Sequence, residues 1–128
     1  MPNPNNEPFG VNRIKSIGYA LKGLIILIKT ENSIKLQLII AAAVSIAGFY
    51  FDISSTEWLI QLTTIAVVMT AEGLNTAIEY MADFVHPEYH KKIGKIKDIG
   101  AGAVFIASII AIIIAGIIYL PKILLITS

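Results

Sequence analysis

The sequence predicts an all-α integral membrane protein with three transmembrane helices, an N-terminal amphipathic surface helix and a homo-oligomeric assembly. Three observations carry that expectation. Hydrophobic residues make up 55% of the 128, charged residues 15%, and mean hydropathy is +0.73, far from the usage of a soluble domain. Three apolar runs each approach or exceed the length that crosses a hydrocarbon core of about 30 Å. Nine of the ten Lys and Arg residues precede or begin the first run or fall between the second and third, the asymmetry of cytoplasmic segments. A chain of this length is one domain, 1–128. Net charge is +1 and cysteine is absent. No nucleic-acid partner is therefore expected, and disulfides, thiol catalysis and thiolate metal sites are excluded.

The first residues are polar and proline-rich, unlike a secretory signal, and read as a disordered tail over 1–8. A surface helix follows over 9–31. Ile14, Ile17, Leu21, Leu24, Ile25 and Ile28 recur at helical spacing, while Asn12, Lys15, Tyr19, Lys22 and Lys29 take the other face, the pattern of a helix lying in a membrane interface. The first span is placed at 34–51. A short polar turn leads to the second at 57–83, with Thr56 or Ser55 as its cap and Glu57 in its first turn. A basic loop follows over 84–98, with Pro87 closing off the helix before it. The third span covers 99–120 and is ended by Pro121. There Ala103, Ala107, Ala111 and Ala115 recur every four residues, a spacing that lets helices approach closely in lipid. Charge asymmetry puts the N-terminus and the basic loop on the cytoplasmic side of a cytoplasmic membrane.

The second span carries the candidate site. Glu72, Asn75, Glu79 and Asp83 follow at steps of three, four and four, so they line one helix face over roughly 16 Å. An ionisable group at membrane depth costs about 2.5–3.5 kcal/mol on insertion scales, so such a stripe implies function. It suits cation binding, proton movement or general-base chemistry. Glu31 and Glu79 both fall at the inner interface and could offer Mg²⁺ the one or two carboxylates it takes beside substrate phosphates. Glu72, deeper, is a candidate base for a hydroxyl lodged at the lipid interface. Lys15, Lys22 and Lys97 could neutralise phosphate charge. Neither a GxxxxGK[ST] loop nor the protein-kinase motif set is present, so nucleotide chemistry here would need an unrelated fold. His86 and His90 alone make a weak metal site.

Three stretches add a resemblance. They are Glu72-x-x-Asn75-Thr76-Ala77-Ile78-Glu79-x-x-x-Asp83 followed by His86-Pro-Glu-Tyr-His90, then Lys97-Asp98-x-x-Ala101-x-Ala103-Val104, and the opening Arg13-Ile-Lys15-Ser-Ile-Gly18-Tyr19. Over about residues 12–120 the chain resembles the prokaryotic diacylglycerol kinases, a family that includes undecaprenol kinases. The resemblance implies a homotrimer with active sites between subunits at the cytoplasmic interface, ATP as co-substrate and Mg²⁺. It implies Glu72 as the base that deprotonates the lipid hydroxyl, Asn75 as its polar partner, and Glu31 and Glu79 as metal carboxylates. Tyr19, Glu88, Tyr89, His90, Lys97 and Asp98 match nucleotide-contacting positions, with Lys15 near the phosphates and Asp83 one turn beyond the metal carboxylate. A family arginine falls on Asn12 here, leaving Arg13 or the lysines to take its role. The implied activity is ATP-dependent phosphorylation of a membrane lipid alcohol, diacylglycerol to phosphatidic acid, with undecaprenol as the alternative. A small ion or proton transporter is the remote alternative.

Overall fold

The computed structural model describes residues 8–128; the tail expected over 1–8 lies, except for Pro8, outside the described residues. Four helices follow in order, α1 (Phe9–Thr30), α2 (Asn32–Tyr50), α3 (Ser55–Val85) and α4 (Lys91–Thr127), with no strand among the described residues. Each junction has a local cause. Glu31 adopts an extended backbone (φ −102°, ψ 111°), so one residue ends α1 and starts α2. Its N–H donates to Leu27 O at 3.0 Å and its carbonyl accepts from Lys35 N at 3.2 Å.

The α2–α3 turn uses Asp52 at φ +50°, a left-handed conformation that Asp tolerates better than most residues. The cap of α3 is Ser54, one residue earlier than the sequence suggested. It forms a capping box with Glu57, Glu57 N to Ser54 Oγ at 3.1 Å and Ser54 N to Glu57 Oε1 at 3.0 Å, which satisfies two otherwise orphaned donors. Helix α3 stops at His86, where the proline at 87 disfavours helical backbone for the residue before it.

Two expectations are corrected in α4. The loop before it is residues 86–90 and not 84–98, because His90 caps α4 by accepting Lys92 N on Nδ1 at 3.0 Å. The lysines at 91–97 therefore decorate helix, not loop. Pro121 lies inside α4 without ending it. Proline removes one N–H, and Lys122 ties this turn down, donating from Nζ to Glu57 Oε2 at 2.7 Å and to Ile118 O at 3.0 Å.

Helices α3 and α4 form the main pair, α2 leans on α3, and α1 on α2. The core lies at the end away from the 86–90 loop, where Ile53, Ile118 and Tyr119 are buried beside Trp58 and Phe51. A polar network closes it: Tyr119 Oη donates to Gln61 Oε1 and lies 2.9 Å from Val44 O, which also accepts Gln61 Nε2 at 3.2 Å. Gly48 is needed here, since a Cβ would meet the Trp58 ring at 2.8 Å.

Helices α2 and α4 are long and apolar enough to cross a membrane, and only 11% of each apolar window is buried within the chain. Their apolar surface is thus left for lipid or for other subunits. Helix α3 rises about 46 Å and α4 about 55 Å at 1.5 Å per residue, each more than a hydrocarbon core of about 30 Å.

Candidate functional site

The stripe on α3 emerges from the helix bundle as it runs toward the 86–90 loop. From the start of α3, Glu72 lies about 26 Å along the axis and Glu79 about 36 Å. Glu72 is half-buried, Asn75 and Thr76 are buried, Glu79 is half-buried and Asp83 is exposed. Burial is therefore greatest at Asn75 and Thr76 and falls over the next two turns to exposed Asp83.

Each group has a neighbour that orients it. Gln37 of α2 donates from Nε2 to Glu72 Oε2 at 3.3 Å, and among the described residues Oε1 of Glu72 accepts no hydrogen bond. Asn75 Nδ2 donates to Glu79 Oε1 at 3.2 Å, one turn on. Asn75 Oδ1 is buried without a partner and packs on the backbone of α4 at Gly100, where a Cβ would fall well inside van der Waals contact with it. Gln37 Oε1 is likewise buried and unpartnered. Two buried orphan acceptors beside one carboxylate stripe are uncommon in a settled core and mark this end of the chain as a site.

Glu31, at the α1–α2 junction, reaches α3 through Tyr80, the residue after Glu79. Tyr80 Oη donates to Glu31 Oε1 at 3.1 Å and to Thr30 Oγ1 at 3.4 Å. Helix α1 also meets α3 beside Glu72, since a Cβ on Gly73 would lie 3.3 Å from Leu27 Cδ1. No group of three or more His, Asp or Glu side chains that could hold a metal occurs among the described residues. Among the described residues Glu31 and Glu79 each keep Oε2 without a hydrogen bond, and carboxylate oxygens are the ligand type that Mg²⁺ takes beside water and phosphate.

The 86–90 loop forms a separate cavity of about 240 Å³, lined by Asp83, His86, Glu88, Tyr89, His90 and Lys97 among others. Asp83 and Lys97 form an ion pair across it. This brings together Glu88, Tyr89, His90 and Lys97, four of the positions for which the resemblance implies nucleotide contact. Asp98 is exposed and does not line the cavity. Tyr19 is exposed on α1, as is Lys15, and neither lines the cavity. Arg13 stacks on Phe9, its guanidinium carbon 5.0 Å from the ring centroid.

Gln37 and Tyr80 were not singled out from the sequence, and Gly100 stood out only as a small residue near the alanine stripe of α4. Gln37 left one signal, a lone amide in an otherwise apolar run. Gln37→Leu removes the donor this chain supplies to Glu72. We expect kcat to fall about tenfold with the KM for ATP unchanged, since hydrogen bonds to charged groups contribute about 1.5–3 kcal/mol. Steady-state kinetics check this.

Fold and site define an all-helical protein with lipid-facing apolar helices and an acidic, amide-lined site at one end. The family model for prokaryotic diacylglycerol kinase matches residues 18–119. Undecaprenol kinase of Bacillus subtilis is 36% identical over 108 residues, 84% of this chain and 88% of that protein. Diacylglycerol kinase of Escherichia coli K12 is 32% identical over 109 residues, 84% and 89%, and that of Haemophilus influenzae 31% over 107 residues, 83% and 91%. The chain belongs to the prokaryotic diacylglycerol kinase family.

Proposed function

We propose that this chain is a lipid kinase of the cytoplasmic membrane that transfers the γ-phosphoryl group of ATP to the single hydroxyl of a lipid alcohol. The observation that carries the reading is the stripe itself. It starts half-buried at Glu72, a helix length about equal to the hydrocarbon thickness from the start of α3, and ends exposed beside Lys97. A lipid hydroxyl held at the interface and a nucleotide arriving from water can meet only at such a boundary. Helix α3 also spans the membrane, as the second of three spans between α2 and α4, and α1 lies along the cytoplasmic surface with the N-terminus on that side.

Glu72 takes the proton of the lipid hydroxyl on Oε1 while Gln37 holds Oε2. The lipid oxygen bonds to the γ-phosphorus, the bond to the β–γ bridging oxygen breaks, and ADP leaves. Asn75 orients Glu79. Glu31 and Glu79 would hold magnesium, which supplies charge neutralisation on the phosphates. Lys97 has three N–H donors, so it can keep Asp83 and still meet a phosphate oxygen. Lys15 and Tyr19 reach the nucleotide from α1, and Glu88, Tyr89, His90, Lys97 and Asp98 from the loop side. Phosphoryl transfer is mainly such positioning and charge stabilisation. Tyr19 and Lys15 do not line the loop cavity of their own chain, and most apolar surface is uncovered, which supports a homotrimer with sites shared between subunits.

Diacylglycerol is the acceptor favoured by the family description. Undecaprenol is the second reading, supported by the 36% identity to the Bacillus undecaprenol kinase. Mixed micelles carrying one lipid or the other decide between them. A preference for diacylglycerol of about tenfold or more in kcat/KM is the expected result, and the reverse preference moves the chain to carrier-lipid phosphorylation.

A further inference from the structure

Two histidines flank the loop cavity, and the backbone fixes the tautomer of each. His86 Nδ1 lies 2.7 Å from the carbonyl oxygen of Glu88. A carbonyl only accepts, so Nδ1 carries the proton and neutral His86 keeps its lone pair at Nε2. His90 is the reverse. Its Nδ1 accepts the N–H of Lys92 at 3.0 Å, so the proton of neutral His90 resides on Nε2. The rings meet edge to face with centroids 5.2 Å apart, and both line the cavity beside Tyr89 and Lys97. Among the described residues neither Nε2 has a hydrogen-bond partner. The cavity lining thus includes one imidazole with an acceptor and one with a donor at Nε2, together with a cation and an exposed aromatic ring.

We propose that this pair reads the nucleobase and selects adenine over guanine, with His86 as the specificity-determining residue; the proposal rests on the lipid-kinase reading above. Adenine presents an amino donor next to a ring-nitrogen acceptor, whereas guanine presents O6 where adenine has the amino group. The adenine N6 amino group donates to His86 Nε2, and a ring nitrogen accepts from His90 Nε2–H. Guanine sets O6 against the His86 lone pair, two acceptors facing each other. The exposed Tyr89 ring offers a face for stacking, and Lys97 lies on the phosphate side. His90 falls on a nucleotide-contacting position of the resemblance; His86 falls on none, and it enters only through its tautomer and its place in the cavity.

The test measures equilibrium binding of ATP, GTP and purine riboside triphosphate, which lacks the 6-amino group, to the full chain in mixed micelles. His86→Ala is expected to weaken ATP about fivefold, the effect of one net hydrogen bond. Binding of purine riboside triphosphate should not change, and it doubles as the control for folding. The preference for ATP over GTP should narrow. Equal loss of ATP and purine riboside triphosphate, or no change in their ratio, overturns the assignment. Lipid phosphorylation is recorded in parallel. Wild-type protein that shows the expected binding ratios but transfers no phosphate to lipid defeats the kinase reading and leaves the base-reading result standing. Normal transfer with an unchanged ratio defeats the histidine assignment alone.

Discussion

Glu72→Gln is expected to abolish phosphate transfer to lipid, by about 10²–10⁴-fold, the range a positioned general base contributes, while ATP binding and assembly are kept. The substitution is close to isosteric and replaces a carboxylate with a group that accepts no proton. Gln37 still finds an oxygen at the position of Oε2, so the α2–α3 contact survives. Loss of charge on a half-buried residue should leave stability unchanged or slightly raised, because burying an ionised group is costly. Turnover within a fewfold of wild type would show that Glu72 is not the base. Turnover lost together with ATP binding would place its role in the nucleotide site instead.

The second large effect is expected at Gly100. Asn75 Oδ1 occupies the space that a Cβ at position 100 would take, and the same amide orients Glu79. Gly100→Ala must push the Asn75 side chain or separate α3 from α4. Overpacking of this kind costs about 1–3 kcal/mol, and the displaced amide releases Glu79. We expect both a lower unfolding midpoint in detergent and a loss of activity of about tenfold or more. The double variant Gly100→Ala/Asn75→Ala separates the two effects: the space is restored and stability returns, while activity stays low for want of the amide. Wild-type stability in the single variant would mean that Asn75 does not pack on α4 as described.

The stripe was legible because a polar period of three and four in an apolar setting has one explanation, a helix face. What that face meets was not legible. Helix α2 is apolar all round, so its sequence gives no phase for packing, and the partnership of Gln37 with Glu72 depends on that phase. The bond from Tyr80 to Glu31 joins residues 49 apart and depends on the extended backbone at Glu31, which no turn residue announces. The helix start at Lys91 was missed because its cap is a histidine, outside the usual Ser, Thr, Asp and Asn, and because clustered lysines read as loop. Pro121 misled for a physical reason as well. Proline usually ends a helix in water, but where apolar helices pack together, side chains such as Lys122 can hold the interrupted turn. Gly100 showed in one dimension only as a small residue suited to close helix approach; that it is the Asn75 side chain it meets was not legible.

The central claim is that the α3 stripe carries a phosphate from ATP to a lipid hydroxyl. The most direct measurement follows labelled γ-phosphate from ATP into the lipid fraction, using purified chain in micelles with and without a lipid alcohol. Label is expected in lipid only when the alcohol is present, in amounts equal to the ADP formed. Folded protein that binds ATP yet labels no lipid, or that releases the label as free phosphate whether or not lipid is supplied, would contradict it.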